Sequence, residues 1–262
     1  MGHVTDVPGS ISRRRFGQMT GGALASAVVS PVACALDTSA LQNFEGRLSV
    51  RTKAGVRTTA SGTQRLGLDK GRDAILQMPA VIPNSPIPLL VLLHGAGGWA
   101  ERQVQRMGSA PSDAGVAVLA PDSRGDTWDA IRGRFGPDVS FLNRALGRVF
   151  DLVSVDPARL VIGGFSDGAS YALSLGLING QLFRKVAAFS PGFVVTGEPQ
   201  GKPRVFISHG TQDDILPIDR CGRVIAQRLR ASSYDVTFRE FDGGHEIPPA
   251  IAREGLAWCA KA

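Results

Sequence analysis

The chain has 262 residues, 43% of them hydrophobic and 20% charged, with a formal net charge of +6. This is a globular composition, long enough for one α/β domain. The positive excess is spread along the chain without the basic stripe and aromatic platforms of a nucleic-acid binder, so that class is excluded.

The first 35 residues read as an address. Ser12-Arg13-Arg14-Arg15-Phe16 precedes a weakly apolar, Ala/Gly-rich stretch from Met19 to Val32, and Ala33-Cys34-Ala35 offers a small-residue cleavage site. This pattern resembles a twin-arginine export signal and predicts a mature protein delivered by the twin-arginine machinery to the bacterial periplasm or beyond. Losing residues 1–35 removes three arginines and one aspartate, which lowers the formal charge from +6 to +4. A lipid-modified Cys34 is the competing reading, although Pro31 suits a lipid-attachment motif poorly. Cys221 and Cys259 form an even pair in an oxidising compartment, and both a disulfide and two unpaired thiols remain open. Beyond the leader, no apolar run approaches the roughly 20 residues that span a bilayer.

Residues 36–262 read as a single catalytic domain of alternating strands and helices. A Ser/Thr/Gly-rich lead-in from Thr52 to Gly67 gives early strand and loop, and Asp73–Met78 has strand character. Leu89–Leu93 is a continuous apolar run that stops at His94-Gly95, and Val116–Ala120 is another, stopped by Pro121-Asp122. From Asp138 to Val153 the residues Val139, Leu142, Leu146, Val149, Phe150 and Val153 share one helical face. Leu160–Phe165 is a strand and Ala169–Ile178 a helix; Lys185–Phe189, Arg204–Ser208 and Val236–Phe241 complete the strands. Further helices lie near Asp219–Arg230 and Ile247–Ala260. Strands apolar throughout imply a sheet covered on both faces, so the expected fold is α/β with a mostly parallel, doubly wound sheet. The intervals between strands are too short for a large lid.

The chemistry gathers at the carboxyl ends of those strands. Gly164-Phe165-Ser166-Asp167-Gly168 follows the run Arg159–Gly163, placing a serine at a strand-to-helix turn with a glycine two residues away on each side. An acyl-transfer serine needs a base, an acid that orients the base, and donors for a developing oxyanion. His94 and His209 each close a strand and precede a glycine, which suits turn roles. His245, in the flexible Phe241-Asp242-Gly243-Gly244-His245 loop, is the expected base. Asp213 is the expected acid, with the adjacent Asp214 second; capping of the next helix is the competing role for both. The oxyanion donors are expected to be the backbone amides of Asp167 and of Ala96, with Gly97 the alternative in the His94-Gly95-Ala96-Gly97-Gly98 turn. That turn lacks the Lys-Ser/Thr of a phosphate-binding loop. No cofactor is required, and the four histidines show no metal-ligand spacing.

The glycine-rich turn at 94–98, the elbow at 164–168, the stretch from His209-Gly210 through Asp213 to Pro217, and Gly244-His245 come in one order. Together they resemble the α/β-hydrolase superfamily. Within it the chain looks like the small lidless carboxylesterases related to acyl-protein thioesterases and polyhydroxybutyrate-depolymerase-like esterases. The resemblance covers about residues 89–250 and implies an α/β-hydrolase fold without a large lid, a serine esterase, and a small-molecule or polymeric ester as substrate. A polyester depolymerase or peptidase on the same fold is the alternative, and a non-catalytic binding module is a further one. Pro121–Trp128 resembles the loop that borders the substrate pocket, with Trp99 and Trp128 as candidate pocket walls or as packing residues. Asp167 departs from the family's usual residue after the nucleophile, and a carboxylate there predicts discrimination against anionic substrates.

Overall fold

In the computed structural model, residues 45–195 and 197–262 are described. The export segment expected over residues 1–35, Cys34 included, lies outside them. The described residues belong to one compact unit.

Eight strands make one sheet: β1 (Thr63–Arg65), β2 (Ala74–Gln77), β3 (Ile87–Leu93), β4 (Ala117–Pro121), β5 (Val155–Phe165), β6 (Lys185–Phe189), β7 (Arg204–Gly210) and β8 (Val236–Phe241). Their order is β1-β2-β4-β3-β5-β6-β7-β8. The β1–β2 and β2–β4 pairings are antiparallel and every other pairing is parallel. This is the mostly parallel sheet the sequence predicts, with an antiparallel edge.

Alternation along β3 shows why such strands carry no polar face. Leu89, Val91 and Leu93 enter one core with α4 (Pro137–Leu152) and α5 (Asp167–Ile178), where Leu142, Leu146, Ala172 and Leu175 meet them. Leu90 and Leu92 point the other way, into a core shared with α1 (Ala100–Met107) and α7 (Pro249–Ala260) through Met107, Ile251 and Leu256. Each such side chain taken fully out of water contributes about 1.5–3 kcal/mol, so both faces need covering helices. Gly176 of α5 marks the closest approach: a Cβ there would lie 2.4 Å from Val186 Cγ2.

The helices α4 and α7 start with proline in the first turn, where the missing amide costs nothing. The sixth helix, α6 (Gly222–Ala231), begins three residues later than the periodicity suggests, because Pro217–Arg220 closes a turn first, Arg220 N donating to Pro217 O at 2.9 Å. Three short helices, α1, α2 (Ala110–Asp113) and α3 (Asp129–Arg132), escape the sequence reading. Cys221 and Cys259 are both buried free thiols, so the pair is not bridged.

Candidate active site

The parallel strands deliver their carboxyl ends to one edge. Leu93 pairs with Gly164, which brings the turn after β3 beside the end of β5. Ser166 follows β5 and caps α5 with φ 57° and ψ −122°. That conformation costs a non-glycine residue about 1–3 kcal/mol and is held by its surroundings. Ser166 N donates to Phe189 O at 3.0 Å, tying the turn to β6. The flanking glycines are demanded by contact: a Cβ on Gly164 would lie 2.5 Å from the Gly168 backbone, and one on Gly168 would lie 2.4 Å from the carbonyl oxygens of Leu93 and His94. Gly95 also meets the nucleophile candidate closely, its Cβ position lying 3.2 Å from Ser166 Cβ.

His245 reaches Ser166 from the loop after β8. Its Nε2 lies 2.9 Å from Ser166 Oγ and its Nδ1 lies 2.7 Å from Asp213 Oδ2. A carboxylate can only accept, so Nδ1 carries the proton and Nε2 is left to accept from the serine hydroxyl. The ring packs on Phe165 with centroids 4.7 Å apart. The loop can approach because Gly210 has no side chain: a Cβ there would lie 2.3 Å from the carbonyl oxygens of Gly243 and Gly244. Asp213 is 5% exposed, and its Oδ1 accepts from Ile215 N at 3.1 Å and Leu216 N at 2.8 Å. Asp214, the alternative acid, is exposed and makes none of these contacts.

The other two histidines are structural. His94 is buried, its Nδ1 donating to Gly95 O at 2.7 Å and its Nε2 accepting from Ser123 N at 3.0 Å. Burial holds its pKa below the usual histidine value. His209 Nε2 donates to Leu216 O at 2.7 Å and lies 3.2 Å from Asp213 Oδ2, which helps fix the turn carrying that aspartate. Burial lowers its pKa as well.

Two expectations need correction. Gly97 is not an available oxyanion donor, because its amide already donates to Asp126 O at 2.7 Å. The Ala96 and Asp167 amides have no acceptor among the described residues. Trp128 does not wall the pocket: it is fully buried, donates Nε1–H to His94 O at 2.8 Å and stacks on Tyr171 with centroids 5.2 Å apart. An indole N–H taken out of water needs an acceptor, and the carbonyl at the start of the glycine-rich turn supplies it. The rest of the 121–128 loop likewise supports the turn from below. Asp122 Oδ1 accepts from Ala100 N at 2.7 Å at the start of α1.

A surface cavity of about 280 Å³ opens over the serine, lined by the 94–99 turn, Arg102, Gln103, Arg106, Phe165, Ser166, Ile215 and His245. Trp99 is part of this wall and 45% exposed, with Arg72 stacked on its ring at 4.0 Å. Arg102, Gln103 and Arg106 were missed from sequence. The signal was there in Ala100-Glu101-Arg102-Gln103-Val104-Gln105-Arg106-Met107, a short amphipathic run directly behind the glycine-rich turn. Among the described residues, no group of three or more His, Cys, Asp or Glu could hold a metal ion, and no helix is long and apolar enough to cross a membrane.

A serine at a strained strand-to-helix turn on an open, mostly parallel sheet defines an α/β-hydrolase. The comparisons with known proteins agree. The phospholipase/carboxylesterase family model matches residues 143–254. Acyl-protein thioesterase 1 of Gibberella zeae is 31% identical over 233 residues, covering 74% of this chain and 97% of that protein. Feruloyl esterase C of Emericella nidulans is 24% identical over 227 residues, or 71% of this chain and 81% of that one. An S-formylglutathione hydrolase from Staphylococcus aureus shares the fold, with a TM-score of 0.62 at 15% identity over 77% of this chain and 99% of that one. The chain belongs to the phospholipase/carboxylesterase family and is a serine hydrolase acting on carboxylic esters.

Proposed function

We propose that this chain is an exported carboxylesterase that cleaves small or medium esters through Ser166, His245 and Asp213. The observation that carries the reading is the unbroken chain of hydrogen bonds from Asp213 Oδ2 through both nitrogens of His245 to Ser166 Oγ. Nε2 takes the serine proton as Oγ attacks the ester carbonyl, and Asp213 stabilises the imidazolium that forms. The amides of Ala96 and Asp167 serve the oxyanion; Asp167 also lies in the first turn of α5, where the helix dipole favours negative charge. His245 then protonates the departing alcohol and activates the water that clears the acyl-enzyme.

The cavity of about 280 Å³ over Ser166 lies near the lower end of the size range of small-molecule sites, which suits small or medium esters. Export is supported by Ser12-Arg13-Arg14-Arg15-Phe16 and the apolar stretch behind it.

The test is hydrolysis of 4-nitrophenyl esters of increasing acyl length by the purified protein and by Ser166→Ala. Loss of turnover in the variant is expected, and full activity in it would remove Ser166 from the mechanism. Replacing Arg13 and Arg14 with lysine in the producing cell is expected to hold the protein in the cytoplasm.

A further inference from the structure

The charged residues in the cavity wall are of one sign. Arg102 and Arg106 lie four residues apart on α1, hence on one helical face, and both line the space above Ser166. No carboxylate is among the lining residues. Among the described residues neither guanidinium forms an ion pair, whereas the neighbouring Glu101 is taken by Arg65 and Arg124 by Asp69. Arg106 is instead laid over the Phe165 ring, its Cζ 4.2 Å from the centroid. His245 packs, tilted, against the same phenylalanine with centroids 4.7 Å apart.

Between the two arginines, Gln103 is 1% exposed. Its Oε1 accepts from Arg106 Nη1 at 3.1 Å, and an arginine can only donate, so the amide orientation is fixed. That leaves Gln103 Nε2 buried without an acceptor. An unmatched buried amide donor costs stability, and native proteins keep such groups few. Here it belongs to a cavity-lining residue that is hydrogen-bonded to one of two arginines lacking an ion pair. The Asp167 carboxylate, which from sequence promised to repel anions, is held by Thr127, whose Oγ1 donates to Oδ2 at 2.7 Å, and it is not part of the cavity wall.

We propose that Arg102, Arg106 and Gln103 form an anion subsite, so that the preferred substrate is an ester or thioester carrying a carboxylate in its acyl or alcohol arm. This rests on the esterase reading and adds to it the substrate's charge. Partial desolvation against the Phe165 ring holds the Arg106 pKa below its usual value although the residue is largely exposed, and the Arg102 charge lowers it further. An incoming carboxylate relieves that repulsion and accepts charge-assisted hydrogen bonds from a fork-shaped donor.

The experiment compares two matched pairs of esters. Hydrogen 4-nitrophenyl adipate against 4-nitrophenyl hexanoate places the charge in the acyl arm. 4-Acetoxybenzoate against 4-acetoxybenzamide places it in the alcohol arm. The readout is the ratio of kcat/KM within each pair, which cancels any difference in folded protein between variants. The wild-type ratio is expected above one for at least one pair, and that pair identifies the arm. Arg102→Gln and Arg106→Gln are each expected to lower it about fivefold, since both side chains are solvent-exposed and worth less than a buried pair. Salt at 0.5 M is expected to shrink it, and Arg106→Lys to retain more of it than Arg106→Gln. A ratio at or below one in both pairs overturns the proposal, as does a ratio that neither glutamine substitution moves.

Binding of monoethyl adipate to Ser166→Ala, followed by calorimetry, tests the subsite without turnover. Its Kd is expected to rise several-fold when either arginine is also replaced, and an unchanged Kd overturns the subsite. If the wild type hydrolyses neither member of any pair, the esterase reading fails while the Kd comparison still decides the subsite.

Discussion

Asp213→Asn isolates what the carboxylate does for its neighbours. Asp213 Oδ1 holds the amides of Ile215 and Leu216, and Oδ2 faces His245 Nδ1. An asparagine has one oxygen to offer. Turning its NH2 group toward the two amides would leave two partly buried N–H donors unmatched, at about 1 kcal/mol each. The oxygen therefore stays on the backbone and the NH2 group faces His245. Nδ1 must then accept, the ring proton moves to Nε2, and that proton points at Ser166 Oγ. The imidazole is held in place but in the tautomer that cannot take a proton from serine. A loss of about 10⁴-fold in kcat is expected, equivalent to about 5 kcal/mol of transition-state stabilisation. The assay is steady-state hydrolysis of 4-nitrophenyl acetate, with thermal unfolding to show that the variant is folded. Asp214→Asn serves as the control, because Asp214 is exposed and outside the hydrogen-bond chain. A loss under tenfold in Asp213→Asn, or an equal loss in Asp214→Asn, would refute the tautomer argument.

Trp128→Phe removes the indole N–H from His94 O and opens space beside Tyr171; urea unfolding should show a loss of about 2–3 kcal/mol, and a loss below about 0.5 kcal/mol would deny the residue its packing role. Burial lowers the folded-state pKa of His94, so its contribution to stability is fully present above the usual value of 6.5 and is lost as pH falls through the depressed folded value. Nitrogen NMR at pH 6.5 should accordingly find the His94 ring mostly neutral, with the proton on Nδ1, and a protonation midpoint at or above 6.5 would contradict the buried, acceptor role of Nε2. Cys259 is fully buried and its thiol is pushed up to about 12, so it should resist alkylation in the native protein at pH 8 and react once unfolded; mass spectrometry of the Cys259 peptide decides it.

The sequence carried the parts of this protein that depend on local pattern. Unbroken apolar runs such as Leu89–Leu93 place strands in a doubly covered sheet whatever their neighbours are, and a glycine-bracketed serine behind one of them marks the turn. Chain order narrowed the partners, since only His245 among four histidines follows the last strand in a glycine loop. What pattern cannot encode is which group a given atom meets across the fold. Pattern ranks Ala96 ahead of Gly97 in the glycine-rich turn but leaves both open, until Asp126 O claims the Gly97 amide and leaves the other. Trp99 and Trp128 are equally large and apolar, yet the second spends its N–H on a backbone carbonyl beneath the site while the first stands in the cavity wall. The arginines of α1 look like an ordinary solvated face in sequence. They become part of the site because the parallel sheet sets the helix after β3 against the elbow after β5, and hydrogen-bond partners and burial exist only once those distant segments are brought together.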